Sequence, residues 1–300
     1  MRIGFVAEPY EEKNASGMGY VVLELMKNLP LRPGDTLTVY SSKPVSKELV
    51  STPFKNVIVS KILIRKFFFF LRLKKEVDVI LFVAPLLPLW LPRRIKAVII
   101  CQELASQKTP VENLRDRALA ILRDHILMSI SISRAAAIIA ASGATKTDIH
   151  TFYHVADEKV IVIYDGYQDL SIFERMASPV DQSLQPFFFF AGKVKFRKNV
   201  HGIVSAFISF KKRTPNTSKL VIAGDYSGGY YQKIIQEIQE NNLTEDVVWA
   251  GYTVGAQLYS FYKNALVLVF PSFNEGFGMP PVEAMSLGLP VITSNISSMA

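Results

Sequence analysis

Two carboxylates stand out near the end of this 300-residue chain: Glu275 and Glu283, in the run Pro-Ser-Phe-Asn-Glu275-Gly-Phe-Gly-Met-Pro-Pro-Val-Glu283. Ionised carboxylates accept hydrogen bonds from hydroxyls, and Gly276 and Gly278 beside Glu275 let backbone N–H groups come close to a ligand. Pro280 and Pro281 suit the first turn of a helix, so Glu283 is expected near a helix N-terminus, where the helix dipole favours negative charge. Carboxylates that grip hydroxyls and amides that grip a pyranose or a phosphate make a cradle for a sugar nucleotide. The competing reading is an acidic surface loop followed by an ordinary capped helix.

Cations are found in Ala-Gly-Lys193-Val-Lys-Phe-Arg197-Lys198-Asn, on a loop that follows a strand and leads into a helix. Lys193, Arg197 and Lys198 there can neutralise a diphosphate as its charge grows on departure. In the first half, Gly17 and Gly19 open a helix after the first strand, which suits phosphate contact by backbone amides. A dinucleotide fingerprint would need a further glycine where Val22 stands, so dinucleotide binding is disfavoured. No His, Cys and Asp cluster has metal-ligand spacing, and His125, His150, His154 and His201 read as structural or surface residues.

These residues need elements to hold them. Short β-branched or aromatic runs alternate with helix-length amphipathic segments, which is the pattern of βα units and an α/β fold with parallel sheets. Seven strands are expected in the first half, from Arg2 to Ile163, and five in the second, from Phe187 to Thr293. The stretch Gly166 to Pro186, with weak periodicity and three turn-forming residues, reads as a linker between domains at 1–168 and 184–300. Ligands are then expected at the carboxyl ends of the strands, between the domains. The series stops at Ala300 directly after a strand, so the second domain is expected to be incomplete.

The whole run from Pro271 to Asn295 resembles the signature of glycosyltransferase family 4, retaining enzymes of the GT-B fold, whose landmarks agree in order across nearly the whole chain. The resemblance implies that Glu275 contacts the donor sugar and Glu283 the nucleotide ribose, with Gly276, Phe277 and Gly278 serving sugar hydroxyls and phosphate. It implies that Arg197 and Lys198 bind the diphosphate and that Gly17 and Gly19 lie at the donor phosphates. Lys193 departs from the family's usual arginine, and Gln102 replaces a histidine usually placed near the donor sugar. Gln102 can hydrogen-bond but cannot titrate. The family works without a bound metal ion or other cofactor.

The expected activity is therefore retaining transfer of a hexose, mannose or glucose, from a GDP- or UDP-sugar to a glycan or lipid-linked acceptor in cell-surface polysaccharide or lipopolysaccharide biosynthesis. The alternative is a non-catalytic nucleotide-sugar-binding or scaffold protein of a polysaccharide assembly complex, which Gln102 motivates. A formal net charge of +8 fits anionic partners in general, and no motif supports nucleic acid. A single cysteine, Cys101, and no apolar leader at the N-terminus give a cytoplasmic expectation. The stretch Lys61 to Glu76, with four consecutive phenylalanines among basic residues, reads either as a core-packing helix with a basic edge or as a peripheral contact with the inner face of a membrane.

Overall fold

The structure is a computed structural model that describes residues 1–8, 17–46, 53–59, 73, 76–104 and 120–300. It divides into two compact units, Met1–Asp165 and Gly166–Ala300.

The first unit is built on strands β1 (Arg2–Val6), β2 (Thr36–Ser41), β3 (Phe54–Ile58), β4 (Val79–Phe82), β5 (Lys96–Cys101), β6 (Ala137–Ala140) and β7 (Val160–Val162). They form one sheet in the order β3-β2-β1-β4-β5-β6-β7, and all pairs are parallel. A parallel sheet must be covered on both faces, and the alternation within strands divides two cores accordingly. Ala97, Ile99 and Cys101 enter one core, whereas Ile100 enters the other. Gly4 faces the first of these, where an added Cβ would lie 3.1 Å from the Tyr40 ring and 3.2 Å from Ile80.

Among the described helices of this unit, α1 (Gly17–Asn28) follows β1, and a π-helical turn at Leu122–Leu127 runs into α2 (Met128–Arg134). Helix α3 (Gly143–Tyr153) begins two residues earlier than the sequence pattern suggests, because the Ser142 side chain accepts the Thr145 N–H at 3.1 Å and caps it. Of the expected helix at 61–76, only Leu73 and Glu76 are among the described residues, and Leu73 is fully buried. Residues 14–16 of the glycine loop and the start of the helix expected from Val111 also lie outside the described residues.

The second unit carries β8 (Phe187–Ala191), β9 (Lys219–Ala223), β10 (Val247–Gly251), β11 (Val267–Phe270) and β12 (Val291–Thr293), parallel in the order β10-β9-β8-β11-β12. Helices α4 (Val200–Arg213), α5 (Gly228–Glu240), α6 (Gly255–Asn264) and α7 (Met279–Ser286) connect or follow these strands. The four phenylalanines 187–190 make β8 a central strand packed on both faces. Phe187 and Phe189 meet Phe261 of α6 at 6.2 and 5.5 Å, while Phe188 meets Phe207 and Phe210 of α4 at 6.1 and 5.4 Å. Helices α4 and α5 thus share one face of the sheet, tied by Ser205 to Glu237 at 2.7 Å, and α6 and α7 share the other, tied by Tyr262 to Glu283 at 2.9 Å.

Residues 166–186 are not a bare connector. A 3-10 helix at Leu170–Met176 follows a cap in which Asp169 accepts the Ser171 N–H at 3.0 Å, and it inserts fully buried Leu170 into the second unit's core. Ser260 of α6 donates to the Ser178 carbonyl at 2.7 Å. The weak periodicity of this segment comes from 3-10 turns, whose repeat differs from both helix and strand patterns. Among the described residues, no helix is long and apolar enough to cross a membrane.

Candidate functional site

In the second unit the chain runs from β8 outward to β10, then returns to place β11 on the other side of β8. The connections reverse direction between β8 and β11, and at such a switch point the loops beyond the strand ends part to leave a crevice. The loops after these two strands carry Arg197, Lys198 and Glu275. Their side chains converge: Arg197 Nη1 lies 2.9 Å from Glu275 Oε2, and Lys198 Nζ lies 2.6 Å from Oε1. The carboxylate is 7% exposed, and the two cations are 18% and 13% exposed.

Several contacts fix this cluster. Arg197 Nη1 also donates to the Asn274 carbonyl at 2.6 Å, the Phe273 N–H donates to the Arg197 carbonyl at 2.8 Å, and Lys198 Nζ sits 4.7 Å over the Phe270 ring. Asn199 adopts a left-handed conformation, with φ 54°, and sends its amide to the Pro271 carbonyl at 3.2 Å. From beyond β12, Ser297 donates to the Glu275 carbonyl at 2.7 Å and accepts its N–H at 3.3 Å, and Ser298 reaches the same carbonyl at 3.0 Å. Two cations against one carboxylate leave a net charge of about +1, so the cluster can still attract an anion.

Gly278 precedes α7 with φ 95°, and an added Cβ would lie 2.0 Å from the Met299 methyl carbon. The left-handed backbone conformation favours glycine there, whereas the Met299 side-chain end could move aside. Gly276 and Phe277 lie in the same loop, between Glu275 and this turn.

Glu283 is the fifth residue of α7, one turn further in than expected from the prolines, and the helix has no acidic residue in its first turn. The dipole effect fades beyond that turn, so the helix end does not hold this carboxylate. Tyr262 does: its hydroxyl donates to Glu283 Oε2 at 2.9 Å, and its ring packs edge-on against Phe189 at 5.2 Å. Burial raises the Glu283 pKa above its ordinary 4.5, and the tyrosine hydrogen bond only partly opposes that shift. Burial, with the neighbouring Glu283 charge, pushes the Tyr262 hydroxyl well up, so it stays a proton donor.

A carboxyl group whose folded pKa exceeds its unfolded value binds its proton more tightly when folded. Stability then falls as pH rises between the two values, and the loss persists above both. Glu283→Gln is therefore expected to melt at a higher temperature than the parent at neutral pH, with the gap closing as pH falls toward 4.5. Thermal denaturation across that range checks it, and a variant that melts lower at neutral pH would contradict it.

The other residues singled out from sequence lie elsewhere. Lys193 is half exposed and pairs with Asp225 at 2.6 Å. Gly17 and Gly19 are in the first turn of α1, beyond the strand β1, which adjoins β4 where the first unit's strand order reverses. Gln102 Nε2 donates to Asp165 Oδ1 at 3.1 Å, and burial raises the Asp165 pKa against that bond. Gly17, Gly19 and Gln102 belong to the first unit, whereas Lys193 and the convergent cluster belong to the second. Sequence reasoning did not single out Tyr262, Asn274, Ser297 or Ser298, whose roles depend on contacts between residues remote in the chain.

Residues 173–300 match the family model described as glycosyl transferases group 1. The match lies within the second unit. The matched residues include the Arg197, Lys198 and Glu275 cluster together with Glu283. Among curated proteins, the chain is 29% identical over 170 residues to the O-antigen chain mannosyltransferase RfbU of Salmonella typhimurium, covering 57% of this chain and 45% of that protein. It is 32% identical over 116 residues to O-antigen chain mannosyltransferase B of Escherichia coli, covering 38% and 30%. The matched region thus spans less than half the length of these relatives.

Solved structures extend the likeness to the first unit as well. The glycosyltransferase WaaG, involved in lipopolysaccharide biosynthesis, superposes with a TM-score of 0.71 at 14% identity, over 99% of this chain and 82% of that one. Anabaena HepE in complex with UDP-glucose gives 0.69 at 15% identity, over 99% and 81%. At these identities the likeness concerns the fold, which is GT-B: two α/β domains, each on a parallel sheet, with seven and five strands here.

Proposed function

We propose that the protein transfers a hexose, mannose or glucose, with retention, from a nucleoside-diphosphate sugar to a glycan or lipid-linked acceptor. The observation that carries this reading is the buried Glu275 carboxylate held between Arg197 and Lys198 at the β8/β11 switch point. In this account the two cations receive the diphosphate and stabilise it as the glycosidic bond breaks. Glu275 orients the hexose through its hydroxyls, Glu283 accepts from the ribose, and the Gly276 to Gly278 backbone serves sugar and phosphate. Lys193 adds a further donor contact from the loop that carries Arg197, and no metal ion or cofactor takes part.

The mannosyltransferases among the relatives favour mannose, whereas the UDP-glucose complex of HepE favours UDP and glucose. Incubating the chain with labelled GDP-mannose, UDP-glucose and UDP-galactose, with and without lipid-linked glycan, tests the proposal. Release of nucleoside diphosphate or labelled product from one donor is expected. Absence of both transfer and donor hydrolysis across the panel, with the protein folded and binding nucleotide, would favour a non-catalytic sugar-nucleotide-binding role.

A lipid-linked acceptor brings the work to the cytoplasmic face of a membrane, and the basic, phenylalanine-rich stretch 61–76 supplies residues for that contact. Flotation with anionic liposomes is expected to retain the protein. Replacing Arg65, Lys66, Arg72 and Lys74 together by serine is expected to release it, and equal retention of both proteins would argue against docking through this stretch.

A further inference from the structure

One tyrosine in the aromatic core of the second unit is not explained by packing. Tyr262 of α6 is 1% exposed, and its ring stands edge-on at 5.2 Å to Phe189, which in turn stacks on Phe261 at 5.5 Å. A phenylalanine would fill the same space. A buried hydroxyl costs free energy unless it is hydrogen-bonded, and this one is used on Glu283, donating to Oε2 at 2.9 Å.

Satisfying the tyrosine does not require a carboxylate. A backbone carbonyl or a glutamine oxygen would accept the same proton without bringing charge toward the core. Burial raises the Glu283 pKa, so the fold carries an acidic group that its surroundings disfavour, as is characteristic of functional sites. The tyrosine hydrogen bond acts the other way and favours the ionised form, which accepts hydrogen bonds and donates none. It also occupies only one side of the group. Oε1 has no hydrogen-bond partner among the described residues, and Glu283 is partly exposed. Tyr262 itself has little freedom, because its ring is locked in the core and α6 is tied through Ser260 to the Ser178 carbonyl at 2.7 Å.

We infer that Tyr262 is a positioning residue for nucleotide recognition: by holding Oε2 it fixes the plane of the Glu283 carboxylate and presents Oε1 to the ribose hydroxyls of a nucleoside diphosphate. This rests on the ribose role given to Glu283 above. Tyr262 touches no ligand and acts through Glu283. A glutamate side chain fixed before the nucleotide arrives loses less rotamer freedom on binding, so the ribose contact is stronger than a free carboxylate would make. The effect belongs to the ribose hydroxyls alone, and the contacts of base and diphosphate are indifferent to it.

Calorimetric titration of the full chain with GDP, UDP and their 2′,3′-dideoxy analogues tests this. The parent is expected to bind one ribonucleotide about tenfold to hundredfold more tightly than its dideoxy analogue, the range for hydrogen bonds to a charged acceptor. In Tyr262→Phe that preference is expected to shrink to about threefold or less, with the affinity for the dideoxy analogue unchanged. In Glu283→Ala the preference is expected to vanish, and adding Tyr262→Phe to that variant should change nothing further, since the tyrosine then has no carboxylate to hold. The preference is a ratio measured on one protein, so a variant that is merely less stable does not imitate its loss. Full preference in Tyr262→Phe, or equal weakening of both nucleotides, overturns the positioning role, while loss of the preference in Glu283→Ala still upholds the ribose role of Glu283. A parent that binds ribonucleotide and dideoxy analogue alike, a parent that binds neither GDP nor UDP, or a preference that survives Glu283→Ala overturns the ribose reading, and the inference with it.

Discussion

Glu275→Gln is expected to lower hexosyl transfer by about two to three orders of magnitude, the loss typical when a group that stabilises the transition state is removed from a preorganised polar site. The glutamine keeps the size and one acceptor oxygen of the carboxylate, and Ser297 and Ser298 hold the backbone at this position through the Glu275 carbonyl. The loop should therefore stay in place. What is lost is the charge that holds Arg197 and Lys198, at 2.9 and 2.6 Å, in one geometry. Without it the two cations repel, and the sugar loses its strongest hydrogen-bond acceptor. Glu275→Ala is expected to be as inactive and less stable, since taking one partner from a buried ion pair typically costs about 3–5 kcal/mol. Turnover within a few-fold of the parent in a folded Glu275→Gln protein would sink the assignment.

The second large effect concerns Lys198. Its ammonium is 13% exposed and lies between the Glu275 carboxylate and the Phe270 ring. Lys198→Ala is expected to reduce kcat by about 10²- to 10³-fold, because a charge placed against the departing diphosphate matters most in the transition state. Arg197→Lys should be milder. It keeps a charge but replaces Nη1, which meets both Glu275 and the Asn274 carbonyl, the latter at 2.6 Å, with an ammonium on a shorter side chain. A Lys198→Ala protein that loses only donor affinity, with kcat intact, would assign the lysine to ground-state binding.

The strands of the fold were legible because parallel sheets buried on both faces leave continuous apolar runs. All twelve expected strands are present within about two residues of their expected limits, including the Phe187–Phe190 core strand. The segment 166–186 was not legible in the same way. Its 3-10 turns match neither the helix nor the strand period, so the anchoring of Leu170 in the core is visible only in three dimensions. The carboxylate and cation residue types pointed to a site, but the meeting of Arg197 with the Glu275 loop joins positions 77 residues apart. Glu283 shows the limit of local reasoning. The prolines correctly suggested a helix start, yet the carboxylate is held by Tyr262, 21 residues away and on another helix.

The most direct test of the central claim is a crystal structure of the chain with GDP or UDP, whichever stabilises it more against heat. The diphosphate is expected within hydrogen-bonding distance of Arg197 and Lys198, with the ribose hydroxyls on Glu283. A nucleotide bound away from these residues, with the Glu275 cluster undisturbed, would contradict the account.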